Sequence, residues 1–254
     1  MSGVSQPPSF FIGWDVGGWN CDMNSKSRDA IVILDSTLAV VGQPWRGNLR
    51  TTINEAASAS DWIRELFGLC AVNSSAGALY ITLAIDTPLG SSEAFVGLVT
   101  GLQCVDLVER SDTNPYLFRQ TERYLFEHGL KPLSAIKDMI GSQATKGMHV
   151  LAKFARATKS CGVWTDGVSL TVIEAYPSAC KASEVVRALR RHHADLEHED
   201  KQDALICALI AYLFASRPDA LASPDSSVPI SEGWIWVPRD GLQSQQQQRL
   251  GMPK

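Results

Sequence analysis

The segment Leu79 to Ile85 limits the fold of this chain most strongly, because it is short and almost entirely apolar. A strand with one face in water alternates apolar and polar residues, whereas a strand covered on both faces is a continuous apolar run. The segment stops at Asp86-Thr87-Pro88, and proline cannot continue a central strand. The pattern predicts a sheet with helices on both faces and Asp86 at the carboxyl end of a central strand.

Further periodic segments give the order of elements around this strand. Strands are predicted at Ser9 to Val16, Ala30 to Leu34, Leu38 to Val41 and Val168 to Tyr176, and a long final helix at Glu199 to Phe214. The short link after Leu34 predicts a hairpin. The order is hairpin-linked strands, a strand with helices before and after it, and a final strand and helix. This order predicts a mixed α/β sheet.

Local signals predict the helices and the domain limits. Thr52 and Glu55 form a capping box before the apolar stripe Trp62, Ile63, Leu66 and Phe67. Asn114-Pro115 predicts a helix start, and Ser178 predicts the cap of a helix that runs to about Arg191. We expect one domain over residues 9–218, with a helical insertion at about 91–160. Residues 219–254 form a C-terminal extension whose glutamine-rich tail, Gln245 to Gln248, is predicted to be disordered.

Composition indicates the class of protein. The chain has 254 residues, 45% of them hydrophobic, and a formal net charge of −4, which argues against a broad non-specific coat on nucleic acid. Its six cysteines form no CxxC pair and fit reduced thiols in a cytoplasmic protein. No signal peptide is visible, and the longest apolar run, Ala204 to Ala215, is too short to span a bilayer, so no membrane partner is expected.

Four acids fall near the ends of core elements. Asp15, Asp86 and Glu174 lie in or at the ends of three apolar strands, and Asp203 lies on the final helix with Asp200 one turn earlier. A carboxylate in an apolar strand is costly unless it is paired or binds a metal. Each acid alone has the ordinary interpretation of a turn former, a cap or a surface ion pair. Together they predict a site for Mg²⁺ or Mn²⁺, ions that use carboxylates, waters and phosphate oxygens.

Four segments carry a resemblance to a known family. They are GWDVGG from Gly13, IDTPLG from Ile85, VIEAYPS from Val172 and DKQDAL from Asp200. In this order they resemble domain-of-unknown-function family 429, whose members are described as predicted ribonuclease H-like nucleases. The resemblance covers about Phe10 to Phe214. It implies a ribonuclease H-like fold in which Asp15, Asp86, Glu174 and Asp203 are catalytic and metal-binding, with Asp200 as a further ligand and His198 as a possible helper.

Two basic groups suggest contacts with a nucleic-acid substrate. Lys146, His149, Lys153 and Arg156 recur on one helix face, which either follows a phosphate backbone or is simply solvated, the second being favoured. Arg119 and Arg123 share another face and either grip a phosphate or pair with Glu122 and Glu127.

The tryptophans near the C-terminus have two interpretations. Trp234 and Trp236 alternate in the segment Glu232 to Pro238, which is predicted to add a strand or an aromatic lid. They either stack on bases or cover a core edge, and the core is favoured.

Three functions are compatible with these features. The first is a metal-dependent nuclease or related phosphodiester hydrolase. The second is a phosphotransferase, because DVGG also resembles the first phosphate loop of actin-like sugar kinases, although the chain is short for two such domains. The third is a non-catalytic module that binds nucleic acid or protein.

Overall fold

A mixed sheet forms the centre of the protein. The computed structural model describes residues 9–73, 79–108 and 110–242. Within them, eight strands form one sheet: β1 (Ser9–Asp15), β2 (Asp29–Leu34), β3 (Trp45–Gly47), β4 (Tyr80–Asp86), β5 (Ala157–Ser160), β6 (Val163–Thr165), β7 (Leu170–Ala175) and β8 (Ile235–Trp236).

The strand order places three parallel strands in the middle of the sheet. The order is β3-β2-β1-β4-β7-β6-β5, and β8 pairs with the end of β7. β1, β4 and β7 run parallel, β2 is antiparallel to β1, and β6 is antiparallel to β7. The predicted mixed α/β architecture is therefore confirmed.

Helices lie against this sheet and between its strands. In the described residues they are α1 (Arg50–Glu55), α2 (Ala59–Leu69), α3 (Glu93–Gly101), α4 (Gln120–Glu127), α5 (Gly141–Phe154), α6 (Pro177–Cys180), α7 (Glu184–Arg190) and α8 (Glu199–Ser216).

The two faces of the sheet carry separate hydrophobic cores. Phe11 of β1 packs with α8 on one face, whereas its neighbour Ile12 packs with α2 and α5 on the other. Side chains alternate along a strand, so a strand buried on both sides must be apolar at every position. This accounts for the continuous apolar run of β4 and confirms the prediction of helices on both faces.

Two local predictions near the N-terminus are wrong. Thr52 and Glu55 do not cap the striped helix, because they lie inside the separate helix α1, and the cap of α2 is Ser58, whose hydroxyl accepts from the Asp61 N–H. The segment Leu38 to Val41 makes only an isolated bridge to β2, because Leu38 adopts a left-handed conformation at φ 65°. The third strand of the sheet is β3 instead.

Other boundaries also differ from the sequence pattern. The helix predicted at Asn114 begins at Gln120, and the helix predicted after Ser178 is divided into α6 and α7, with Ser183 as the cap of α7. The predicted helical insertion ends in strand β5.

The extension contributes to the sheet and the core. β8 pairs with β7, and Trp234 and Trp236 are buried, so their assignment to the core is confirmed. The predicted tail at Gln245 to Gln248 lies outside the described residues. Among the described helices, none is both long and apolar enough to cross a membrane.

Gly13 permits the close packing of α8 on β1. A Cβ at Gly13 would lie 1.8 Å from the Ala204 carbonyl oxygen and 2.4 Å from the Ala208 nitrogen, so backbone would have to move. We expect Gly13→Ala to lower the free energy of unfolding by about 3 kcal/mol or more. Chemical denaturation followed by circular dichroism measures it.

Gly68 provides the matched control for this substitution. It lies in α2, and a Cβ there would meet nothing within 4 Å. Gly68→Ala should stabilise the protein by up to about 1 kcal/mol, because alanine is the better helix former. Equal effects of the two substitutions would contradict the proposed contact of α8 with β1.

Candidate functional site

The ends of β1 and β4 bring two of the predicted acids together. The parallel register pairs Asp15 with Asp86, each the last residue of its strand. Neighbouring strands lie about 4.8 Å apart, so the two carboxyl groups leave the same edge of the sheet. The sequence predicted each strand end, and the pairing of β1 with β4 aligns them.

Helix α8 adds Asp203 to this pair. Its next residue, Ala204, packs against Gly13 of β1, two residues before Asp15. The charge of Asp203 raises the pKa values of both Asp15 and Asp86. Asp15, Asp86 and Asp203 therefore form one electrostatic unit, called the acidic cluster below.

Burial and mutual repulsion raise the pKa values of all three acids of the acidic cluster. Burial raises the pKa of Asp86 to about 8, with further contributions from the charges of Asp203 and Glu174. Burial also raises the pKa of Asp15 well above its usual range, and the charge of Asp86 adds to this. Like charges in a poorly solvated place disfavour ionisation. A bound cation would reverse this preference.

Two residues of the acidic cluster, Asp15 and Asp86, line a cavity of about 390 Å³, whereas Asp203 does not. The cavity opens at the carboxyl ends of the central strands, where ligands bind in open α/β sheets. Its polar lining residues include Asp15, Asp86, Glu174, Tyr176 and Ser178. Residues of the helical insertion also line it, namely Pro132, Leu133, Ile140 and Gln143.

Glu174 borders the cavity but is bound on both of its oxygens. Arg119 donates to both carboxylate oxygens, at 2.6 and 2.8 Å, and the Leu89 N–H donates to one of them at 2.9 Å. Arg119 also pairs with Glu122. Glu174 therefore links the segment after Asp86 to the insertion, and three hydrogen bonds engage its carboxylate.

Asp200 is likewise engaged by other groups. Its carboxylate accepts from Arg46 Nε at 2.7 Å and from the Arg28 N–H at 2.9 Å. His198 is the cap of α8, and its ring Nδ1 accepts from the Asp200 N–H. These contacts fix the start of α8, and the charge of Asp200 also raises the pKa of Asp15.

The carboxylates of the acidic cluster have the donor chemistry that a divalent cation prefers. Among the described residues, no three His, Cys, Asp or Glu side chains are arranged as a ready ligand group. Mg²⁺ commonly uses one or two carboxylates and completes its shell with waters and substrate phosphate. The acidic cluster fits that requirement in charge, whereas the carboxylates of Glu174 and Asp200 are each bound by an arginine.

The structure separates the five predicted substrate-binding residues from the cavity. Arg119 is buried and forms ion pairs with glutamates, as in the alternative to phosphate binding that the sequence left open. Arg123 lines a different cavity. Lys153 donates to the carbonyl oxygens of Ile53 and Asn54. Arg156 is exposed beyond the end of α5.

Lys146 does not belong to a solvated or phosphate-binding helix face. It is fully buried and pairs with Asp29, which is also fully buried. Its ammonium also donates to the carbonyl oxygens of Gly17 and Gly18, at 3.3 Å each. The prediction of one basic face at this helix is wrong, because a charge with enough partners can be buried on the packed side.

Two residues at the site were missed by the sequence analysis. Asp29 holds the segment after Asp15 by accepting from the Gly17 N–H at 2.9 Å, and Lys181 lies 2.9 Å from Asp203. For Lys181 a signal existed, since it closely follows the specific segment ending at Ser178. For Asp29 the signal was an acid immediately before an apolar strand.

Comparisons of the chain with protein-family models, with curated proteins and with solved structures give no match.

The raised pKa of Asp86 predicts a pH-dependent cost of folding. The folded protein keeps this proton up to about pH 8, whereas an unfolded chain releases it near pH 4. The associated stability is complete at low pH and is lost as the pH rises through about 8. We expect Asp86→Asn in EDTA to gain about 4 kcal/mol relative to wild type between pH 5 and pH 9, because each pH unit between 5 and 8 contributes about 1.4 kcal/mol.

Denaturation of wild type and variant at several pH values measures this effect. The exposed Asp106→Asn is the matched control and should leave the pH profile unchanged. Parallel profiles for wild type and Asp86→Asn would show that the folded environment does not hold the proton.

Removal of Arg119 should strongly destabilise the protein. Arg119→Met leaves Glu122 and Glu174 buried without their cation, for which we expect a loss of about 3 to 5 kcal/mol. The control Arg64→Met breaks an exposed pair with Asp61 and should cost less than about 1 kcal/mol. Similar losses in urea denaturation would contradict the structural role of the Arg119 network.

Proposed function

We propose that the chain is a divalent-metal-dependent nuclease, or a related phosphodiester hydrolase, built on a ribonuclease H-like sheet. One observation carries the proposal: Asp15 and Asp86 end adjacent parallel strands in register, and the charge of Asp203 acts on both. The family resemblance of the four sequence segments supports the same assignment. The mixed sheet, with its parallel centre and antiparallel β2, also supports the proposal.

The acidic cluster would hold Mg²⁺ or Mn²⁺. Such an ion supplies stabilisation of developing negative charge and lowers the pKa of a bound water. The carboxylates of Asp15 and Asp86 are attached to strands of the central sheet, so their separation is set by the strand pairing. This rigidity suits a site that must hold its groups in a fixed arrangement.

Glu174 and Arg119 act as supports in this proposal. Glu174 accepts from the Leu89 N–H and so holds the segment that follows Asp86. Arg119 pairs with Glu174 and offsets part of the charge by which Glu174 raises the pKa of Asp86. Both residues are buried, and their contribution in this proposal is to position Asp86.

The cavity limits the part of a substrate that can reach the acids. Its volume of about 390 Å³ is near the lower end of the range for small-molecule sites, so about one nucleotide-sized group fits. Among the described residues that line it, none is Lys or Arg. Neutralisation of the substrate phosphate would therefore depend on the cation at the acidic cluster.

Hydrolysis assays test the proposed activity. Purified protein with Mg²⁺ or Mn²⁺ should cleave single-stranded, duplex or structured nucleic acid, or a small phosphodiester. Asp15→Asn should reduce the rate at least about 100-fold, because it removes a carboxylate from the ion's position. The matched control Asp106→Asn changes an exposed acid and should keep the wild-type rate. An Asp15→Asn protein with full activity would refute the role of Asp15.

Binding measurements separate the two alternative functions. Tight ATP binding without hydrolysis of phosphodiesters would favour a phosphotransferase. Binding of a nucleic acid or a protein without any affinity for divalent cations would favour a non-catalytic module.

A further inference from the structure

Lys181 brings a positive charge to the acidic cluster. It directly follows α6, and its Nζ lies 2.9 Å from Oδ1 of Asp203. The side chain of Asp203 is 17% exposed, whereas that of Lys181 is 47% exposed. The ion pair thus joins a largely buried carboxylate to an ammonium group that reaches it from the solvent side.

The contact relieves part of the repulsion within the acidic cluster. Burial raises the pKa of both Asp86 and Asp203, and the charge of Lys181 opposes this effect at both residues. Across residues 9–73, 79–108 and 110–242, no other Lys, Arg or His side chain forms an ion pair within 4 Å of the three carboxylates. Lys181 is therefore the nearby counter-charge within this part of the chain.

Lys181 differs from the two cations that are buried near the site. Lys146 is fully buried and has several partners besides Asp29, and Arg119 is fixed between two glutamates. Lys181 makes one ion pair from a half-exposed position on a flexible four-carbon chain. Its ammonium can exchange Asp203 for water at little cost, whereas Lys146 and Arg119 cannot.

We propose that Lys181 is an internal counter-ion that competes with a divalent cation for Asp203 and leaves this carboxylate when the cation binds. The inference rests on the proposed function, because it takes the acidic cluster as the metal site. Two positive charges that depend on the same carboxylate repel each other strongly in a poorly solvated place. Lys181 therefore stabilises the metal-free protein and weakens its affinity for the cation.

Binding of Mn²⁺, measured by electron paramagnetic resonance, tests this inference. Lys181→Met should bind Mn²⁺ about tenfold more tightly than wild type, because the competing charge is gone. Lys181→Arg keeps the charge and should bind with nearly wild-type affinity. The matched control is Lys201→Met, which removes a lysine of α8 that pairs with Glu197. Its affinity should change less than twofold.

The outcomes distinguish the inference from the proposed function. Equal or weaker Mn²⁺ binding by Lys181→Met would overturn the role of Lys181 while the metal site stands. Absence of Mn²⁺ binding in wild type and all variants would overturn the metal site and the inference together.

Thermal unfolding in EDTA gives a second, metal-free readout. Lys181→Met should lower the melting temperature of the wild-type protein, because Asp203 loses its counter-ion. The same substitution in an Asp203→Asn background should have little effect, since the carboxylate is already absent. Equal shifts of the melting temperature in the two backgrounds would overturn the proposed pairing of Lys181 with Asp203. This comparison does not depend on metal binding, so it still decides the question if Lys181→Met binds metal poorly because it misfolds.

Discussion

The parallel pairing of β1 with β4 is the constraint on which the site depends. It aligns Asp15 with Asp86 at one edge of the sheet, and the close contact of α8 with Gly13 brings Asp203 beside them. Each of these positions is favourable for the fold, because it buries apolar strands against an apolar helix face. The same positions are unfavourable for the carboxylates, whose raised pKa values record the burial and the mutual repulsion. Such a cost is typical of a functional site, where binding of an opposite charge offsets it.

Buried ion pairs connect the insertion and the extension to this edge of the sheet. Arg119, near the start of α4, binds Glu174 of β7 and also the Glu232 carbonyl oxygen of the extension. Lys146 of α5 binds Asp29 at the start of β2 and the carbonyl oxygens after Asp15. Because each charge has several partners, these pairs fix the relative positions of the elements they join. The elements outside the central strands therefore determine the surroundings of the acids.

The sequence was most informative where one physical rule dominates. An apolar run without alternation must be covered on both faces, so β4 and its two-sided burial could be predicted from Leu79 to Ile85. The final helix was predicted nearly to its observed limits, since its apolar residues are dense. The rule was weaker for short elements: β3 was missed, and a capping box was assigned to Thr52 and Glu55 inside α1. Short strands and caps depend on contacts with distant residues, which local patterns do not contain.

Sequence alone determined which carboxylates stand at the ends of apolar elements, because the cost of burying a charge limits where an acid can lie in a core strand. It did not determine what each carboxylate contacts. The tertiary structure brings Asp15 and Asp86 together at one edge of the sheet, where the charge of Asp203 acts on both. It pairs Glu174 with Arg119 and Asp200 with Arg46. It also buries the Lys146 side chain in the core and places Lys181 beside Asp203. These partners are far apart in the chain, and electrostatic interaction depends on distance in space rather than on separation in sequence.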